Sequence, residues 1–397
     1  MSNDVRYTLT IRAGHPDFLD LPWQQPLGEW RTSRLVALPM GPSRHPVRHL
    51  RYGEAVYVVK EIPAALAQRE YQVLSGLERD DLVAVQPVGL VEGRRRDPGE
   101  EASAALITRY LPFTFSYHEL LQGAAFGAHR EALLDAFAGL LVELHIAGCF
   151  WGDCSLSNVL LRRDGDGLDT IMVDAETAVL HDGLSPGRRG EDLALMVENV
   201  AGGMADIAAS QGLGLDDADL WLGEDIAARY HELWGELFGT MCIGPGEHDK
   251  IDARVQRVHE LGFDIESLEL EPMPDSERLR VEIRPGRRRF HARRLASLTG
   301  LEVSEGQARH ILADMYYYRT VRGTAVTDDD LAAIEWRAFA FEPMLERLRA
   351  LDGVTDPVQS YCELLVHRYL RSAEAGHDIG TEAAFEDWCR RRLASAA

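Results

Sequence analysis

Apolar and polar residues alternate along this chain in two ways. Short β-like runs predict strands at Tyr7-Thr8-Leu9-Thr10-Ile11, Arg34 to Leu38, Val47 to Tyr52, Ala55 to Ile62, Ala84 to Val91 and Ala105 to Tyr110. Apolar residues three or four apart predict helices. The first starts at Pro63 and runs to about Leu77, with Leu66, Val73, Leu74 and Leu77 on one stripe. The second, about Arg130 to Ala147, carries Leu133, Phe137, Leu140, Leu141 and Leu144 and stops at Gly148. A third runs from about Glu191 to Ser210. Between the first two strands Pro16, Pro22 and Pro26 oppose a long helix, and with Trp23 and Trp30 they predict an extension packed on a domain. After about residue 240 Leu279, Val281 and Ile283 alternate with Arg278, Arg280 and Arg284, predicting a half-buried strand that turns at Pro285-Gly286. Ser304 to Gln307 then predicts a capping box opening a helix through Tyr316 to Tyr318, and Thr381 predicts the cap of the last helix.

One polar residue interrupts this pattern. Glu70 lies on the apolar stripe of the first helix, four residues from both Leu66 and Leu74. A carboxylate on a buried face needs a partner, and Lys60 on the preceding strand is the nearest candidate; the alternative is that Glu70 turns to the edge and meets water. Lys60 and Lys250 are the only lysines in a chain whose other basic residues are Arg. A compact ammonium between phosphates is not replaceable by a planar guanidinium without a change of geometry.

The second helix delivers the chain into Trp151-Gly152-Asp153-Cys154-Ser155-Leu156-Ser157-Asn158-Val159-Leu160, followed by Ile171-Met172-Val173-Asp174. An Asp, an Asn five residues on, and a second Asp ending another apolar run form the polar skeleton of a phosphoryl-transfer site. One carboxylate orients a hydroxyl, while an amide oxygen and a second carboxylate hold the metal ions that neutralise a triphosphate. The loop Gly41 to Pro46 could cover phosphates with its backbone, Ser43 and Arg44, although it holds a single Gly. Leu111-Pro112 ends a strand of the kind that offers backbone groups to an adenine edge.

At 397 residues the chain has room for two domains. No apolar run reaches the roughly 18 to 20 residues a membrane-spanning helix needs, and the first residues lack the pattern of a secretory signal. A soluble, cytoplasmic protein is expected. The net charge of -22 disfavours nucleic acid and anionic lipid over most of the surface. Five cysteines without a C-x-x-C argue against a disulfide framework and a zinc site, and Cys154 reads as a small buried hydrophobe in preference to an oxidisable thiol. His118-Glu119, His231-Glu232 and His259-Glu260 lack the second His of a zinc-binding helix, and there is no G-x-x-x-x-G-K-[ST] or G-x-S-x-G.

These residues together resemble the kinase-like superfamily, and more closely its Kdo/lipopolysaccharide-kinase-like branch of high-GC bacteria, which carries a C-terminal domain of unknown function. The resemblance extends to Asp17-Phe18-Leu19-Asp20-Leu21-Pro22-Trp23, to Leu298-Thr299-Gly300-Leu301 and to Gln307-Ala308-Arg309. It implies an α+β, bilobal protein-kinase-like fold with a β-rich N-lobe and a helical C-lobe, followed by a smaller, mostly helical C-terminal domain. The expected domains are 1–33 as an extension packed on the N-lobe, 34–240 as the kinase-like domain and 241–397 as the C-terminal domain. It implies that Lys60 contacts the phosphates and pairs with Glu70, and that Arg109 and Leu111 face adenine with backbone groups. Asp153 would be catalytic, Asn158 and Asp174 would hold Mg2+ or Mn2+ with ATP, and Asp192 would brace the catalytic loop from the next helix.

Departures from the family pattern narrow the expected acceptor. Trp151-Gly152-Asp153 stands for His-Arg-Asp, and Asp174-Ala175-Glu176 for Asp-Phe-Gly, which adds a carboxylate near the metals. Only 17 residues separate Asp174 from Asp192, which leaves little room for a peptide-docking segment. The expected function is therefore an ATP-dependent kinase acting on a hydroxyl of a small-molecule, sugar or glycan acceptor. The alternatives are a nucleotide-binding pseudokinase scaffold, or a protein kinase or AMP transferase using the same site. Arg287, Arg288, Arg289, Arg293 and Arg294 form a basic cluster that either binds an acidic or phosphorylated ligand or nucleic acid, or is a solvated helix face paired with the acidic lobe. The three adjacent tyrosines are expected in the core.

Overall fold

In a computed structural model the chain is described over residues 7–38, 43–80, 82, 84–94, 103–117, 126–212, 214, 217–274, 277–322 and 329–396. Two units result. One holds Met1–Arg162 and Thr170–Leu233, the other Arg163–Asp169 and Trp234–Ala397. Compared with the expected division after residue 240, the second unit starts a few residues earlier and also takes in the seven residues Arg163–Asp169.

The first unit begins with β1 (Thr8–Ile11), β2 (Leu35–Val36), β3 (Val47–Tyr52) and β4 (Ala55–Pro63), then α1 (Ala64–Arg79), β5 (Pro87–Glu92) and β6 (Ser103–Arg109). The strands form one antiparallel sheet in the order β1-β5-β6-β4-β3-β2. Alternation along each strand gives the sheet two apolar faces. The segment between β1 and β2 covers one of them: Phe18, Leu21, Trp23, Leu27 and Trp30 pack against Tyr57, Val59, Val91 and Ile107. Arg94, almost wholly buried, ties this segment down by donating to the carbonyls of Trp23 and Gln25 and to Glu61. Ala67 of α1 packs with Ile62, Leu90 and Ala104 in a separate apolar cluster.

Pro63 does not open α1 as expected. Its ψ of 141° is extended, so it ends β4, and Ala64 is the first helical residue. The strand expected from Ala84 starts at Pro87; Ala84 itself makes an isolated bridge to Met172.

The helical part of the same unit holds β7 (Thr114–Phe115), α2 (Phe126–Ile146), β8 (Cys149–Phe150), β9 (Val159–Asp164), β10 (Gly167–Met172), β11 (Val179–Leu180), α3 (Pro186–Gln211) and α4 (Leu222–Phe238). The expected start of α3 at Glu191 was five residues late. Ser185 caps it by accepting the N–H of Arg188, with Pro186 at the first helical position, a start signal that charge and apolar spacing hid. Apolar positions all round α2, with Leu133, Phe137, Ala138, Leu141 and Val142 fully buried, make it the central helix.

In the second unit β12 (Met241–Ile243), β13 (Ile265–Pro272) and β14 (Leu279–Pro285) form a sheet in the order β12-β14-β13. Helices α5 (Asp249–Glu260), α6 (Phe290–Thr299), α7 (Glu305–Arg322), α8 (Asp329–Trp336), α9 (Glu342–Arg349), α10 (Pro357–Ala375) and α11 (Gly380–Ala396) complete it. Their core gathers Leu295, Ile311, Trp336, Phe341, Leu348, Tyr361 and Leu364.

Three expectations change here. Ser304 does not cap α7; Asp164, from the tip between β9 and β10, accepts the N–H groups of Gly306 and Gln307 at 2.8 Å each, and the Ser304 hydroxyl donates to it. Thr381 lies inside α11, where its hydroxyl accepts from Arg368. Tyr316 and Tyr317 are exposed, and only Tyr318 packs against the core. Among the described residues, no helix is long and apolar enough to cross a membrane.

Candidate active site

A cleft of about 860 Å³ opens in the first unit, and Ser43, Arg44, Lys60, Glu70, Arg109, Leu111, Asp153, Asn158 and Asp174 all line it. The fold brings these residues together from five segments. Ser43 and Arg44 precede β3, Lys60 points in from β4, Glu70 comes from α1, Arg109 and Leu111 end β6, and the rest flank β9 and β10. Gly41 and Pro42 of the expected phosphate loop lie outside the described residues.

Lys60 is the hub. Its Nζ lies 3.0 Å from Glu70 Oε2, 3.0 Å from Asp174 Oδ2 and 3.6 Å from Glu176 Oε2. Glu70 is 1% exposed, so the choice between a buried partner and solvent falls to the partner. Burial pushes its carboxyl up, Lys60 pulls it down and Asp174 pushes it up again, for a net rise to about 7. For Lys60, burial acts to lower the pKa, but Glu70 and Asp174 outweigh it and the net shift is upward, which keeps the ammonium charged.

Sequence spacing had marked Glu176 only as an added carboxylate. In the structure its Oε2 is also 3.2 Å from His45 Nε2 and accepts no well-aligned hydrogen bond. One oxygen each from Glu70, Asp174 and Glu176 lie within 4.8 Å of one another. Three carboxylates around one ammonium leave negative charge uncompensated, and with the amide of Asn158 in the same cleft they offer an oxygen-only donor set. That set fits a hard divalent cation such as Mg2+ or Mn2+. His45 carries no pattern in the sequence that would have singled it out; it reaches Glu176 only because β3 and β4 pair and set the preceding loop over the cleft.

The loop Trp151 to Asn158 is fixed from below. Asp192, fully buried on α3, accepts the N–H of Trp151 at 2.7 Å and of Gly152 at 2.8 Å, and lies 3.2 Å from His145 Nε2. His145 Nδ1 in turn meets the Tyr230 hydroxyl at 2.8 Å. Gly152 has φ +78°, and a Cβ there would sit 3.3 Å from the Thr177 carbonyl, so the position that holds Arg in His-Arg-Asp requires glycine here. The Asn158 amide donates to the Asp153 carbonyl at 2.8 Å, and the Trp151 indole donates to the Asp174 carbonyl at 2.9 Å. Arg44, exposed, comes within 3.7 Å of Asp153 Oδ2. Cys154 is wholly buried, and burial followed by Asp192 and Asp153 raises its thiol well above the ordinary range, as befits a core residue.

At the far end of the cleft the Arg109 N–H is already spent on the Gln86 carbonyl, and the Leu111 carbonyl accepts from the Thr114 hydroxyl.

The basic cluster belongs to the second unit. Arg293 pairs with Asp264 at 2.6 Å and Arg294 with Asp329 at 3.0 Å, and Arg287, Arg288 and Arg289 are engaged as well. Asp264 and Asp329 belong to the cluster's own unit and not to the acidic lobe, so a ligand there would have to displace existing pairs.

Residues 54–206 match the model of the lipopolysaccharide kinase (Kdo/WaaP) family, and residues 232–393 match a domain of unknown function, DUF4032. Among solved structures, one of WaaP in complex with acyl carrier protein is 18% identical, covering 56% of this chain and 87% of that chain with a TM-score of 0.34. No curated protein matches. The kinase-family match spans β4 to α3 and so includes Lys60, Glu70, Asp153, Asn158, Asp174 and Asp192. The fold is kinase-like, a β-rich N-lobe and a helical C-lobe, with a mostly helical unit after it.

Proposed function

We propose, from the premise of a lipopolysaccharide-kinase-like segment followed by a DUF4032 unit, that this chain transfers the γ-phosphoryl group of ATP to a hydroxyl of a small-molecule, sugar or glycan acceptor. The observation that carries this reading is the Lys60 ammonium, held 3.0 Å from both Glu70 and Asp174 in the cleft that Asp153 and Asn158 also line. Arg109 and Leu111 would receive adenine, and Ser43, Arg44 and Lys60 the phosphates. Asn158, Asp174 and Glu176 would hold Mg2+ or Mn2+, which when bound neutralises charge on the phosphates.

Asp153 accepts the acceptor's hydroxyl proton and aims its oxygen at the γ-phosphorus. Lys60 draws the phosphates toward that oxygen, while Glu70 keeps the ammonium from swinging away. Positioning and charge neutralisation supply most of the acceleration. The short span between Asp174 and Asp192 favours a small acceptor over a peptide.

Mass analysis of a panel of sugars and glycans incubated with the protein, ATP and Mg2+ tests this. Added phosphate supports it. Added AMP would make the chain an AMP transferase, and no change across the panel, with nucleotide still bound, would favour a pseudokinase scaffold. Asp153→Asn should lower turnover by orders of magnitude with nucleotide affinity nearly intact.

A further inference from the structure

The two oxygens of the Asp153 carboxylate are not equivalent. Oδ2 faces the cleft, within 3.7 Å of Arg44 and at 3.5 Å, a long contact, from the Asn158 amide whose main bond goes to the Asp153 carbonyl. Oδ1 accepts from the side-chain amide of Asn199 at 3.1 Å, and the same Nδ2 lies 3.2 Å from the carbonyl of Cys154. Both partners of that nitrogen are acceptors only, so the amide can be oriented in only one way.

Asn199 stands on α3 seven residues after Asp192, two helical turns on and therefore on the same face, with the fully buried Met196 between them. One face of one helix thus grips the loop at two points. Asp192 takes the backbone N–H groups of Trp151 and Gly152 ahead of the catalytic position, and Asn199 takes the side chain of Asp153 and the carbonyl after it.

A carboxylate free to rotate about its Cβ–Cγ bond would present either oxygen, or its edge, to an acceptor hydroxyl. The shorter bond from Asn199 to Oδ1 removes that freedom and holds Oδ2, with only the long Asn158 contact on it, toward the acceptor. The donor is also neutral. A cation in its place would hold the carboxylate more strongly and make it a poorer proton acceptor.

We infer that Asn199 is the positioning residue for Asp153, locking its carboxylate so that Oδ2 receives the acceptor's hydroxyl. This rests on the phosphotransferase reading above. It extends that reading to a residue that no Asp, Asn or Gly motif marks.

The test is phosphate release from ATP by the intact chain, with water as the acceptor and saturating Mg2+. It compares wild type, Asn199→Ala, the isosteric Asn199→Asp, and Asp153→Asn. Loss of one hydrogen bond to a charged group should lower kcat by roughly 10- to 100-fold in Asn199→Ala. The KM for ATP should stay within about twofold, because the bond touches no nucleotide. Asn199→Asp keeps the shape and turns donor into acceptor, so its kcat should fall at least as far with an unchanged melting temperature. Wild-type kcat in either variant overturns the inference, as does a loss that appears in KM. If Asp153→Asn also turns over like wild type, or wild type releases no phosphate, the phosphotransferase reading falls with it. A deficit in Asp153→Asn without one at Asn199 sinks the inference alone.

Discussion

Glu176 Oε2 lies 3.2 Å from His45 Nε2, so the residue that replaces the glycine of Asp-Phe-Gly reaches the loop that roofs the cleft. The same oxygen is 3.6 Å from the Lys60 ammonium. A carboxylate so placed can serve a bound cation and hold the roof at once.

Removing it should therefore weaken metal-dependent nucleotide binding. In Glu176→Gln the Mn2+ concentration needed for half-maximal binding of a fluorescent ATP analogue should rise by about tenfold, whereas Asp174→Asn should abolish the metal dependence. Superimposable Mn2+ titrations for wild type and Glu176→Gln would remove Glu176 from the metal site.

The buried Glu70 carboxyl makes stability depend on pH. Its pKa in the folded chain is raised to about 7 from an ordinary 4.5, so the folded state holds the proton more tightly than the unfolded state. The stability this gives is fully present below the ordinary value and is lost as pH rises through about 7. Glu70→Gln has no proton to lose. Relative to wild type it should gain on the order of 1–3 kcal/mol between about pH 5 and pH 8 without nucleotide, while its nucleotide affinity falls. Melting curves at the two pH values check this, and an equal offset at both would contradict it.

Asp192, itself fully buried, satisfies two backbone N–H groups and sits against the buried His145. Asp192→Ala leaves those donors unpaired and should cost about 3 kcal/mol or more in urea unfolding. Asp192→Asn retains one acceptor oxygen and should cost less. A smaller loss for Ala than for Asn would mean that the buried charge is a burden and not a brace.

In the second unit, Asp164 caps α7 from 140 residues away in sequence. Asp164→Ala should cost about 1–2 kcal/mol, and Ser304→Ala clearly less, because the serine hydroxyl supplies no acceptor to the helix and its backbone carbonyl, which takes the Ala308 N–H, survives the substitution. If the serine substitution proved the more costly of the two, the cap would belong to Ser304 after all.

Much of this protein is legible in the order of its residues. Apolar spacing marks β3, β4, β6, α1 and α2 because each buries one face against a sheet or helix, and a buried face is written at a period of two or 3.6. Glu70 stands out because it breaks such a face, and Lys60 because lysine is nearly absent. Asp153, Asn158 and Asp174 are legible because loop and flanking strands are continuous in the chain. The start of α1 was misplaced by one residue and that of α3 by five, since the extended backbone of Pro63 and the side-chain cap of Ser185 are not encoded in apolar spacing.

Only the tertiary structure decided which distant groups meet. His45 reaches Glu176, Asn199 reaches Asp153 and Asp164 caps α7 because strand pairing and helix packing bring separate segments within hydrogen-bonding range. Nothing in the local sequence of either partner specifies the other. The sequence by itself determined which side chains must leave water. The packed fold determined which partner each would find there, because a buried polar group must be satisfied by whatever the packing sets beside it.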